Sequence, residues 1–129
     1  MDKIADMLVA IKNAGNAGKE TLLLPYSNYR ADIARALFQG GYIKSYSRKK
    51  MKKGDKLEID LLYRKDNSPR ISYVKRISKP SRRLYTGVKG IYPVKQGFGT
   101  LFLSTPKGIL SGKEAKKEMV GGEILFEIA

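Results

Sequence analysis

The sequence predicts an α+β fold built from two packed parts, an N-terminal α-β-α-β-β part and a C-terminal part that is mostly β with one short helix. Three observations carry this. Two apolar stripes at helical spacing lie within the first forty residues. Leu57-Glu58-Ile59-Asp60-Leu61 alternates with period two, as a half-buried strand does. A Ser-x-x-Glu box, Ser111 to Glu114, opens a helix between two later apolar runs.

Taken in order, Asp2 stands where a first helix would be capped, and Ile4, Met7, Leu8 and Ile11 follow the i, i+3, i+4, i+7 pattern. Gly15 is expected to end that helix. Thr21 to Leu24 reads as a short strand stopped by Pro25. Ser27 caps a second helix whose buried stripe is Ile33, Ala34, Leu37 and Phe38, closed by Gly40-Gly41. Strands follow at Tyr42 to Ser47 and Leu57 to Leu61, with a Gly54-Asp55 turn between them. After the turn cluster Asp66-Asn67-Ser68-Pro69, a further strand is expected from Ile71 to Ile77. Pro80 breaks the pattern, so the boundary is set there, with an N-terminal part at 1–78 and a C-terminal part at 79–129. The second part holds Leu84-Tyr85, a Gly-rich connection, a strand at Leu101-Phe102-Leu103, the loop Ser104-Thr105-Pro106-Lys107-Gly108, the capped helix ended by Gly121-Gly122, and a last strand at Ile124 to Ile128.

Composition narrows the chemistry. With 129 residues, 42% hydrophobic and 29% charged, the chain has the make-up of one foldable domain. Histidine, cysteine and tryptophan are absent. That removes His general bases, thiolate nucleophiles, zinc ribbons, iron–sulfur clusters and disulfides. No apolar run has membrane-spanning length. The start Met1-Asp2-Lys3-Ile4 lacks the basic-then-apolar pattern of a signal, which predicts that the chain stays where it is made.

Enzyme motifs fail on inspection. Gly97-Phe98-Gly99 supplies two glycines of a dinucleotide fingerprint, but Phe102 stands in the third place. A phosphate loop ending at Gly112-Lys113 would need Gly at 107 and a hydroxyl at 114, where Lys107 and Glu114 stand. The expectation is a protein with no catalytic role and no cofactor.

Charge gives the positive signal. There are 26 Lys and Arg against 12 Asp and Glu, a net of +14. Residues 44–95 carry 17 of the basic and 4 of the acidic side chains. One basic face on a small domain points to a polyanion, and nucleic acid is favoured over a membrane surface. The run Arg48-Lys49-Lys50-Met51-Lys52-Lys53 reads as a hairpin tip that attracts phosphate without sequence preference, or simply keeps an edge charged. Lys75 to Tyr85 gathers five cations, including Lys79 and Arg83, around a Pro and an aromatic. Tyr85 can stack on a base while Arg83 holds phosphate or sugar, or it can pack in the core. Ser104, Thr105, Lys107 and Gly108 offer two hydroxyls, a cation and a close backbone approach, suited to the 2′-OH and shallow groove of RNA; an ordinary turn is the alternative.

These residues together resemble a known family, the eighth protein of the small ribosomal subunit (ribosomal protein S-eight) in its bacterial form. The matching stretches are Asp2 to Leu8 with Ile11-Lys12-Asn13, Gly41-Tyr42-Ile43, Ile77-Ser78-Lys79-Pro80 with Arg83 and Tyr85, Gly97-Phe98-Gly99, Ser104 to Gly108, Lys113-Glu114-Ala115 and Gly121-Gly122-Glu123. The resemblance implies a structural constituent of the small subunit that binds the central domain of its ribosomal RNA directly and organises assembly. It implies that Ser104, Thr105, Lys107 and Gly108 contact an irregular RNA helix, with Arg83, Tyr85, Lys79 and Glu123 nearby. Lys12, Asn13 and Arg30 match residues that touch a second RNA segment. Neighbouring small-subunit proteins are implied partners, and a messenger RNA imitating the ribosomal site is a further expected one; no membrane is. The implied place is the cytoplasmic ribosome, or an organelle-encoded one. Pro106 stands where the family usually has Ser, and Ser81-Arg82 where it has Gly-Leu. The rival reading is a nonspecific architectural nucleic-acid-binding protein, which shares the charge but not the loop.

Overall fold

A computed structural model describes residues 2–129; Met1, which heads the N-terminal pattern read above, lies outside them. The chain divides into two units, Lys3–Ser72 and Asp2 with Tyr73–Ala129. Among the described residues no helix is long and apolar enough to cross a membrane.

The first unit runs α1 (Lys3–Asn16), β1 (Thr21–Pro25), α2 (Asn28–Gln39), β2 (Ile43–Lys49) and β3 (Lys56–Leu61). On α1, Ile4, Met7, Leu8 and Ile11 are buried as the periodicity requires. The helix does not stop at Gly15. That residue is inside it and buried, facing Pro69, where an added Cβ would come within 3.3 Å. The left-handed turn falls at Gly18 instead. Ser27 caps α2 by accepting the Arg30 N–H. Phe38, expected in the buried stripe, is 46% exposed and packs edge-on against Tyr46 at 5.8 Å. The sheet is antiparallel in the order β1-β3-β2, and β3 buries Leu57, Ile59 and Leu61 in strict alternation.

The strand expected from Ile71 to Ile77 shrinks to β4 (Val74–Arg76), and it belongs to the other unit. It pairs with β8 (Gly122–Ile128), with Val74 opposite Ile128 and Arg76 opposite Phe126. Alternation marks a strand but not its partner, and here the partner lies at the far end of the chain.

The second unit continues with β5 (Tyr85–Thr86), β6 (Thr100–Thr105), β7 (Gly108–Ser111) and α3 (Gly112–Lys117) before β8. All pairings are antiparallel, in the order β4-β8-β6-β7 with β5 also on β8. β8 is therefore central, which matches its near-continuous burial. One face packs Ile91, Val94, Leu101, Leu103, Ala115 and Ile124 together. The capping box is present on both sides: Glu114 N–H donates to Ser111 Oγ at 3.1 Å, and Ser111 N–H donates to Glu114 Oε1 at 3.2 Å.

Candidate nucleic-acid interface

β6 and β7 form a hairpin whose turn is Thr105-Pro106-Lys107-Gly108. The Thr105 hydroxyl is consumed inside that turn. It donates to the Gly108 carbonyl at 2.7 Å and accepts the Lys107 N–H at 3.1 Å. Gly108 sits at φ +108°, a conformation that side chains rarely adopt. The turn is thus a fixed scaffold, and Pro106 rides on it exposed. Lys107 reaches Glu118 at 3.2 Å, an exposed pair that contributes little and leaves the ammonium at the surface. Among the described residues, none bonds to the Ser104 hydroxyl.

Glu123 organises the neighbouring strands. Its Oε2 accepts the Ser78 hydroxyl and, at 3.1 Å, Arg83 Nη1. Ser78 is fully buried, and its oxygen also accepts the Leu84 N–H at 3.1 Å. A buried hydroxyl satisfied twice is a structural strut. It fixes the path from Ser78 to Leu84, where Lys79 and Arg82 exchange backbone bonds in a tight turn. Lys79, Arg82 and Arg83 are thereby held at the surface. In the sequence Ser78 reads only as part of a strand break; nothing local marks it as buried.

Register then brings the site together. Tyr85 on β5 and Ser104 on β6 are both paired with Glu123 on β8, so the three residues form one rung across three strands. Directly paired residues put side chains on the same face about 5 Å apart, so Tyr85 and Ser104 are roughly 10 Å apart on one side of the sheet. Tyr85 is 70% exposed, so the core alternative does not hold. Gly122 permits the close approach beside this rung, because a Cβ there would lie 2.0 Å from the Ser104 carbonyl oxygen.

Ser104, Thr105, Lys107, Gly108, Lys79, Arg83, Tyr85 and Glu123 thus gather at one end of the C-terminal sheet. Lys12 and Asn13 lie on α1 and Arg30 at the start of α2, within the other unit. Arg30 donates to the Pro25 carbonyl at 3.2 Å. In the basic run, Arg48 is committed to Asp55 at 2.7 Å and lies over the Tyr26 ring at 4.2 Å; the Asp55 bond raises its pKa. Lys49, Lys50, Lys52 and Lys53 are exposed.

A profile of the family described as Ribosomal protein S8 matches residues 2–128. The chain belongs to that family. It is 42% identical to the small ribosomal subunit protein uS8 of Erythrobacter litoralis (strain HTCC2594) over 127 residues, covering 98% of this chain and 96% of the relative. It is 44% identical to the uS8 protein of Mycoplasmopsis agalactiae (strain NCTC 10123 / CIP 59.7 / PG2), with the same coverage. Against that of Thermus aquaticus it is 42% identical over 134 residues, covering 98% of this chain and 97% of the relative. As a ribosomal protein S8 family member, the chain is a structural ribosomal protein and not an enzyme.

Proposed function

We propose that the chain sits in the small ribosomal subunit and binds the central domain of small-subunit ribosomal RNA directly, through the end of the C-terminal sheet. One observation supports this above the others: the Tyr85–Glu123–Ser104 rung sets an exposed aromatic and a hydroxyl that no described residue bonds on one face, flanked by Arg83 and Lys107. A ring for stacking, a short directional hydroxyl and cations at the edge are what a shallow RNA groove with splayed bases accepts. Phosphate attraction from the basic hairpin adds affinity without choice of sequence. Such a reader responds to shape, so a messenger RNA that imitates the ribosomal helix competes for the same face.

The rival, an architectural binder of any duplex, shares the charge and treats RNA and DNA alike. Filter binding of one irregular central-domain hairpin, made as RNA and as DNA, separates the two. The proposal requires clear preference for RNA at physiological salt; equal affinity contradicts it.

A further inference from the structure

The most exposed large apolar side chain among the described residues is Phe98, at 85%, and the RNA site above does not use it. It is presented by an unusual turn. Lys95, Gln96 and Gly97 are three successive left-handed residues, with φ of 49°, 56° and 94°. The first two carry side chains, so the backbone is strained there, and such strain persists only where surrounding structure imposes it. Here it is imposed from below. The Gly97 and Gly99 N–H groups both donate to the carbonyl of buried Val94 at 3.0 Å. A Cβ on Gly99 would lie 2.7 Å from both the Ile128 carbonyl oxygen and the Val94 side chain. The turn is held down on both sides of Phe98, and the ring is what projects.

The surroundings suit an anion. Residues 87–100 contain Lys89 and Lys95 and no acid. The carboxylate paired nearby, Glu127, keeps its charge, but its oxygens accept from Tyr73 Oη at 2.9 Å and Tyr92 Oη at 2.7 Å, and among the described residues it forms no ion pair with Lys89 or Lys95. Lys95 lies over the Tyr73 ring at 4.1 Å, which keeps its charge beside the turn.

We propose that Phe98 is a base-stacking finger for a further segment of the ribosomal RNA, distinct from the one that meets Ser104. It precedes β6, whereas Ser104 lies one residue from the far end of that strand, and four strand steps put Thr100 and Ser104 about 13 Å apart. One nucleotide cannot touch both. The inference rests on the RNA-binding reading above and extends it: the C-terminal unit would grip two RNA segments, one at each end of β6.

The test uses the full chain with Phe98→Ala, Phe98→Trp, and a photo-crosslinking benzoylphenylalanine at 98, against two probes: the isolated central-domain hairpin and full-length small-subunit ribosomal RNA. Phe98→Ala should weaken binding to the full-length RNA at least about fivefold, the loss of one stacked base, and leave the hairpin unaffected. Phe98→Trp should retain binding. In assembled subunits the crosslink should fall on RNA. A crosslink to a ribosomal protein alone, or to nothing, overturns the proposal, as does an unchanged affinity for the full-length RNA. Ser104→Ala run alongside separates the two readings, since its failure to weaken hairpin binding counts against the loop and not against Phe98.

Discussion

Gly122 lies against Ser104 so closely that a Cβ would come 2.0 Å from the Ser104 carbonyl oxygen. The obstruction is backbone, which cannot swing aside as a side chain would. The absence of one methyl group therefore sets the spacing of β8 and β6 at the end where the candidate readers gather. Gly122→Ala should push the strands apart and cost about 1–3 kcal/mol, the usual range for forced overpacking. A drop in melting temperature of several degrees with loss of RNA affinity is the expected result.

Replacing Lys49, Lys50, Lys52 and Lys53 together should weaken binding to every RNA alike. It should also flatten the dependence of log affinity on log salt, by up to about 0.7–0.9 for each phosphate that is no longer neutralised. Arg48 is left out because Asp55 and Tyr26 already hold it. A weakening confined to the cognate RNA would contradict the generic role.

Stability should fall at alkaline pH through the tyrosines on Glu127. Burial first, then the bond to Glu127, pushes the Tyr92 phenol up to about 12, and the Glu127 bond raises Tyr73 as well. A phenol with a raised folded-state pKa stabilises fully below its unfolded value near about 10. That contribution is lost as pH rises from about 10 towards 12. Melting temperature against pH should show this descent, and Tyr92→Phe, which cannot ionise, should make it shallower. Solvent screening keeps the effect small, because Tyr92 is 38% exposed.

Much of the fold was legible in the sequence where local pattern decides the outcome. The α1 stripe, the alternation of β3 and the Ser111–Glu114 box all follow from spacing alone. Two of the readings that failed, Gly15 and β4, depend on distant chain, and a third, Phe38, on the strand that follows its helix. Gly15 resembles a helix stop, but its missing Cβ accommodates Pro69. Phe38 fits the apolar stripe, yet Tyr46 offers it a surface contact. β4 reads as a continuation of the first part because its partner lies at the far end of the chain. β7 is not legible because Gly108 to Ser111 alternates too briefly between a turn and a cap. In the candidate site, residue types were readable from the motif, while the rung joining Tyr85, Glu123 and Ser104 exists only through strand register. Tyr85 could be placed inside or outside only by the structure, and so could Ser78, whose burial depends on strands that meet it from far along the chain.

Ser104→Ala tests the central claim most directly. It removes a hydroxyl that no described residue bonds, whereas a change at Thr105 would also dismantle the turn that its hydroxyl holds. The measurement is affinity for the cognate central-domain hairpin and for a scrambled hairpin, side by side, with circular dichroism and melting temperature as folding controls. The net worth of one hydroxyl contact is about 1 kcal/mol, so cognate affinity should fall roughly fivefold, and further if the RNA partner is left buried and unpaired. Scrambled-hairpin affinity and the melting temperature should stay unchanged. If cognate and scrambled affinities fall together, or neither falls while the fold is intact, Ser104 is not a reader of the RNA.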